Sequence, residues 1–244
     1  MIKFFRNIRK QLILGGKTAR YLKYAIGEIV LVMIGILLAL QVNNWNEQRK
    51  IRQKEVQMLI ALKEDMQANI DNLQEGIRTI NEVNQNNLKI ISFFEDKTPH
   101  DASMNEYFTN FWGFWDPDFS YASYENLKSQ GLDLISNSDL RKAIVNLFDV
   151  EMDMLDIAEM ERMNILFENM SVPMYRKYLY RDYTKEPWPY VPFDYTNMMK
   201  DMEFYTVCTE IAFRQARSIE RFKAFNILSA NIIAQIDSEI IRPN

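Results

Sequence analysis

One stretch constrains this chain more than any other. From Ile29 to Leu40 the sequence reads IVLVMIGILLAL, and with its flanks the apolar segment runs from Tyr24 to Val42, about 19 residues, near the minimum that spans a bilayer. Ten Ile, Val and Leu side chains between Ile26 and Leu40, at about −0.3 to −0.6 kcal/mol each, give roughly −3 to −6 kcal/mol for insertion. Glu28 opposes it. A carboxylate at mid-bilayer costs on the order of 3 kcal/mol, but Glu28 lies about one turn inside the Lys23/Tyr24 boundary, where the cost falls, so insertion wins. A cleaved signal peptide is the rival reading, yet Leu38-Ala39-Leu40-Gln41 lacks small residues at both cleavage-determining positions. The sequence therefore predicts an uncleaved transmembrane helix over 24–44, preceded by a basic segment over 1–23 and followed by an extramembrane domain over 45–244.

Charge divides at the same place. Lys3, Arg6, Arg9, Lys10, Lys17, Arg20 and Lys23 have no acid among them, and Glu28 is the first acid in the chain. Beyond it 22 Lys and Arg face 32 Asp and Glu, a balance of −10 on the large domain. Nucleic acid is a poor partner for such a domain. The basic flank orients the span with the N-terminus in the cytoplasm and Trp45 at the far interface. Within that flank Phe4, Phe5, Ile8 and Leu12 share one helical face and the cations another, as in a helix lying on anionic lipid; a merely positive flank is the simpler alternative.

Beyond Asn46 the chain is nearly free of Gly and Pro until Pro99, and Leu59, Leu62, Met66, Leu73, Ile77, Ile80, Ile91 and Phe94 recur at helical spacing. This predicts one long amphipathic helix, continuous with the span, with Asn69, Asn84, Asn87 and Gly76 near its seam. Polar seam residues fix register in coiled coils; a wide stripe on a globular bundle is the other reading. Lys97 to Ser103 breaks the helix. An aromatic-rich stretch from Tyr107 to Tyr124 follows, with short helices around an Asp116-Pro117 turn. Ser138-Asp139 is positioned to cap a second helix carrying Leu140, Ile144, Leu147, Leu155, Ala158, Ile165 and Leu166, interrupted near Pro173. A Pro/aromatic loop, Tyr175 to Tyr195, leads to a last helix from Asn197 to about Ile241. No run alternates with period two long enough to argue a sheet. The fold class expected is all-α: one N-terminal transmembrane helix and a long-helix antiparallel bundle.

Two segments resemble a known family. YAIGEIVLVMIGILLALQVNNWNEQRK, Tyr24 to Lys50, is similar to the opening of a large family of uncharacterised single-pass membrane proteins abundant in Bacteroidota, and SYENLKSQGLDLISNSDLRKAI, ending at Ile144, resembles that family's internal signature. The resemblance implies a bacterial inner membrane with the domain in the periplasm. It brings no assigned activity and no catalytic residues.

The residues themselves point away from catalysis. His100 is the one histidine, in a polar break, and reads as a surface residue. Cys208 is the one cysteine, which excludes an intrachain disulfide and a cysteine-held zinc or iron–sulfur centre. There is no HExxH, GxSxG, P-loop or GxGxxG pattern, and acid pairs such as Asp116/Asp118 read as solvated surface in so acidic a chain. No catalytic, cofactor-binding or metal residue is expected, and no cofactor.

What remains is contact. Glu28, Gly35 and Ala39 share one helical face within about 40°, and a carboxyl beside small residues suits close helix packing in lipid; a snorkelling acid is the alternative. Trp112, Trp115, Trp188 and Tyr190 are candidates for a partner surface, because Trp and Tyr dominate binding hot spots. They serve equally well as core. The function expected is a membrane-anchored, non-enzymatic interaction or assembly protein, with the bilayer and either further copies of itself or a membrane protein as partners. The alternatives are a ligand-sensing periplasmic bundle acting through a partner and an accessory subunit of a membrane channel or motor.

Overall fold

A computed structural model describes residues 18–155 and 160–242. The amphipathic reading of Phe4, Phe5, Ile8 and Leu12, and the placement of Ala158, lie outside the described residues. The chain divides into a first unit over residues 1–54 and a second over residues 55–243.

The longest element is α1, Thr18–Glu95, 78 residues of unbroken helix. In the first unit it carries the apolar run, which is long and apolar enough to cross a membrane: an 18-residue window has mean hydropathy 2.4 and none of it is buried. Leu31, Leu37 and Leu38 are each well exposed.

In the second unit α1 becomes one wall of a bundle. Its buried row is Glu55, Leu59, Leu62, Met66, Asn69, Leu73, Gly76 and Ile80, alternating steps of four and three, and a further step of four then brings Asn84 into line, followed by Asn87. Ile90 and Phe93 are the buried residues at the far end, with Ile91 and Phe94 half-covered beside them. The helix stops at Glu95, and Lys97 takes a positive φ of 50°.

The chain then crosses the bundle as α2, Asn105–Asn110, an extended stretch, α3, Ala122–Gln130, and α4, Ser138–Asn146. Asn137, rather than Ser138, caps α4, its Oδ1 accepting from the backbone N–H groups of Asp139 and Leu140. A π-helical segment, Leu147–Glu151, extends α4. Beyond the undescribed residues come α5, Met160–Leu166, a second π segment, Phe167–Ser171, and α6, Val172–Tyr178. Pro173 does not interrupt this run. It sits in the first turn of α6, directly after the π segment, whose wider turn changes the backbone spacing ahead of it.

Helices account for 81% of the structure. The sheet missed by the sequence reading is two strands of three residues, β1, Leu179–Arg181, and β2, Tyr190–Pro192, paired antiparallel with Tyr180 opposite Val191. Such strands are too short for alternation to register, and they form because Pro187 and Pro189 forbid helix between them. After the four-residue helix α7, Tyr195–Met198, a turn delays the last helix, so α8 runs Met202–Ile241 with Asp201 as its cap, instead of starting at Asn197. Its buried row is Phe204, Cys208, Ile211, Gln215, Ser218, Phe222, Phe225, Ser229, Ile232, Ile236 and Glu239, a 4-3 alternation throughout. Lys63 pairs with Asp237, Asn84 with Ala212, and Tyr205 with Glu95, so α1 and α8 are antiparallel.

The core has two parts. One joins the middle of α1, α3, α4 and the second half of α8; the other joins the end of α1, α2, α6 and the first half of α8. Between them the buried residues of α1 are the amides Asn84 and Asn87, and those of α8 are Ala212, Gln215 and Ser218.

Candidate interaction site

Aromatic residues fill both cores before they reach the surface. Trp115 is packed on α1: its ring lies so close to Gly76 that a Cβ there would sit 2.4 Å from Cδ1, and its Nε1 donates to Asn72 Oδ1 at 3.3 Å. Trp112 stacks on Phe167 at 5.1 Å between centroids and meets Phe114 edge-on, while its buried Nε1 lacks a partner among the described residues. Tyr190 is half-buried, 4.6 Å from the Tyr175 ring, with the Arg181 guanidinium 4.2 Å from its centroid. Burial, and then the neighbouring Tyr190 phenol, push the Tyr175 hydroxyl above its usual range. These three side chains pack against the protein's own elements.

Trp188 is different. It lies at the tip of the β1–β2 hairpin with a positive φ of 60°, about half exposed, 6.1 Å from the ring of Tyr183, which is 74% exposed. Along the same hairpin Tyr180 and Phe193 pair at 5.0 Å, and Phe193 is 65% exposed. Two such exposed pairs on and beside one hairpin concentrate aromatic side chains at the surface, where isolated exposed ones would need no explanation. The hairpin is held firmly. Tyr190 N–H donates to Thr109 Oγ1 at 2.8 Å, Arg181 Nη1 to the Trp188 carbonyl at 3.0 Å, and Asp182 Oδ1 accepts from Thr184 at the turn. The sequence marks the whole Pro/aromatic loop from Tyr175 to Tyr195, Trp188 and Phe193 included, as a candidate for recognition, but it does not single out Tyr180 and Tyr183.

At the base of the hairpin, Asp201 ties α6 to α8. Its Oδ2 accepts from Lys177 Nζ at 2.7 Å and from the Tyr178 hydroxyl, and its Oδ1 accepts from the Glu203 N–H. Lys177, then Tyr178 and the Glu203 amide, hold the Asp201 carboxyl at about 2, against an ordinary value of 3.8. A carboxylate with a depressed pKa adds stability above its unfolded value and loses it as pH falls through the folded one. The tie is thus expected to hold unchanged down to about pH 4 and to release between there and pH 2. NMR titration of Asp201 checks this, and Lys177→Ala should move its midpoint back towards 3.8; an unmoved midpoint sinks the assignment.

Polar residues on α1 grip the chain that crosses it. Asn69 holds the Ser120 backbone at both ends, its Nδ2 donating to the carbonyl at 3.1 Å and its Oδ1 accepting from the N–H at 2.8 Å. Asp65 Oδ2 accepts from both the N–H and the hydroxyl of Ser123, and Glu55 Oε1 accepts the same pair from Ser136, each at 2.7 Å. Asn72 Oδ1 accepts from the Asp118 N–H. These bonds orient the segment that bears the internal signature, which makes its Ser, Asn and Tyr residues fold determinants. Among the described residues no three His, Cys, Asp or Glu side chains are grouped to hold a metal ion.

Of the residues expected to form a transmembrane contact, Ala39 is exposed and Glu28 half-covered, and a Cβ on Gly35 would meet nothing within 4 Å. The face is open.

Fold and surface together define a helical bundle, an N-terminal helix apolar enough to enter a bilayer, and a hairpin whose Leu179 and Tyr190 join the second core while other aromatic side chains stay exposed. The chain belongs to a family of unknown function, DUF6090, whose model matches residues 28–157, just over half its length. The match contains the internal signature and all of the polar grip, but not the hairpin or α8. No curated protein and no solved structure matches the chain.

Proposed function

We propose that this is a membrane-anchored, non-enzymatic interaction protein of a bacterial inner membrane, with its N-terminus in the cytoplasm and its bundle in the periplasm. The observation that carries the anchor is the run of α1 with none of its apolar window buried. The hairpin supports the interaction half of the reading, because Tyr180, Tyr183, Trp188 and Phe193 are all exposed and pair as Tyr180–Phe193 and Tyr183–Trp188. Extraction of the full chain in mild detergent, followed by mass measurement, tests this: a homo-oligomer or a stoichiometric membrane partner is expected, and a lone monomer overturns it.

Seven cations before the span, against five soon after it (Arg49, Lys50, Arg52, Lys54 and Lys63), set the proposed orientation. A reporter active only in the periplasm, fused after Asn244, is expected to give signal. Silence there, with activity from a cytoplasmic counterpart, reverses the topology.

Glu28, Gly35 and Ala39 are the proposed contact within the bilayer. Gly35→Leu is expected to weaken association in a membrane dimerisation assay by about 1 kcal/mol, the scale of one interhelical contact in lipid, whereas Ile36→Leu, about 100° round the helix, leaves it unchanged. Equal behaviour of the two variants removes the case for this face.

A further inference from the structure

The amide layer between the two cores has a property that stability alone does not explain. Gln215 uses both ends of its side chain: Oε1 accepts from Asn84 Nδ2 and Asn87 Nδ2, each at 3.3 Å, and Nε2 donates to the Gly113 carbonyl at 3.0 Å. Asn84 Nδ2 also reaches the Ala212 carbonyl at 2.8 Å. Asn87 and Gln215 are fully buried, and Asn87 Oδ1 has no partner among the described residues. An unsatisfied carbonyl in a core is unfavourable, and apolar residues of similar shape often match or exceed such networks in stability.

The repeats supply the missing reason. α1 presents a 4-3 row as far as Ile80 and α8 presents one throughout, and antiparallel rows of that kind are nearly equivalent when one helix slides past the other by one heptad. In one slipped register Gln215 would face Ile77 and Ile80; in the other it would face Ile91 and Phe94. Either slip leaves a buried amide against apolar side chains, with no donor for its oxygen. The three amides also mark the place where the α1 row falls out of phase, the step from Ile80 to Asn84.

We infer that Asn84, Asn87 and Gln215 form a register lock, which fixes one alignment of α1 against α8 out of several that the apolar rows permit. The lock is a conformational device independent of what the bundle binds. It works by penalising the alternatives, as a polar residue at a core position of a coiled coil does.

The test reads register directly. Lys63 Nζ lies 2.5 Å from Asp237 Oδ1, both half-exposed, so a zero-length carbodiimide should join them in the detergent-solubilised full chain, and the cross-linked peptide can be quantified by mass spectrometry. In the triple variant Asn84→Leu/Asn87→Leu/Gln215→Leu the helical circular dichroism is expected to persist while the Lys63–Asp237 product falls severalfold. Gln215→Leu alone is expected to give a smaller fall, and it carries the test should the triple variant lose its helix. A folded variant that retains the wild-type yield overturns the lock, because the layer would then contribute only stability.

Discussion

Tyr124→Ala is expected to destabilise the bundle by about 3–5 kcal/mol, the range for emptying the site of a buried aromatic ring, and to lower Tm by roughly 6–20 °C for a domain of this size. The residue is 1% exposed. Its ring stacks on Phe148 at 4.6 Å and 11°, and Lys128 Nζ lies 4.9 Å from its centroid on α3. The hydroxyl donates to Asp149 Oδ2 at 2.7 Å; burial, and then the Asp149 carboxylate, push the phenol well above its usual range. Tyr124 therefore joins α3 to the π-helical extension of α4 through packing and one hydrogen bond. Tyr124→Phe separates the two, since it keeps the ring and removes only the bond, at about 1 kcal/mol. Chemical denaturation of the three proteins decides the matter. A phenylalanine variant as unstable as the alanine one would transfer the role from the ring to the hydroxyl.

Much of this architecture was legible in the sequence because it rests on long periodic rows. The stripe at Leu59, Leu62, Met66, Leu73 and Ile80 is buried as its spacing requires, and so are the seam amides Asn69, Asn84 and Asn87. Periodicity fails where the period changes. Past Asn84 the α1 row shifts, so Ile90 and Phe93 take the central positions that the uniform spacing gave to Ile91 and Phe94. Ile165, placed on the core stripe of the second helix, is exposed, because the π-helical segments Leu147–Glu151 and Phe167–Ser171 each alter the number of residues per turn around it. The hairpin was invisible for the opposite reason: it is defined by contacts with α2, such as Tyr190 on Thr109, and not by any pattern within itself. The aromatic candidates divide on the same principle. Composition identifies Trp and Tyr as capable of recognition, but only the tertiary structure tells Trp115, spent on Gly76, from Trp188, left at the surface.

Trp115 also provides the second large effect. Trp115→Ala is expected to cost about 3 kcal/mol, at the lower end for tryptophan truncation because the ring is only partly covered, and the Asn72 carbonyl loses one of its two donors. The glycine beneath the ring sharpens the prediction. Glycine within a helix costs about 1 kcal/mol relative to alanine, so in the absence of other contacts Gly76→Ala should stabilise α1. Here the added methyl would lie 2.4 Å from Cδ1, 2.7 Å from Cγ and 2.9 Å from Nε1 of Trp115. Those atoms are near the root of the side chain, and the ring is anchored by Asn72, so it cannot swing away cheaply. Overpacking of this kind costs about 1–3 kcal/mol, which outweighs the helix gain, and Gly76→Ala is expected to destabilise the protein. In the Trp115→Ala background the obstacle is gone and the same substitution should stabilise by about 0.5–1 kcal/mol. The two residues are in contact, so the cycle measures their coupling directly. An effect of the same sign in both backgrounds would mean that Gly76 is not the seat of Trp115 but is required for some other property of the helix.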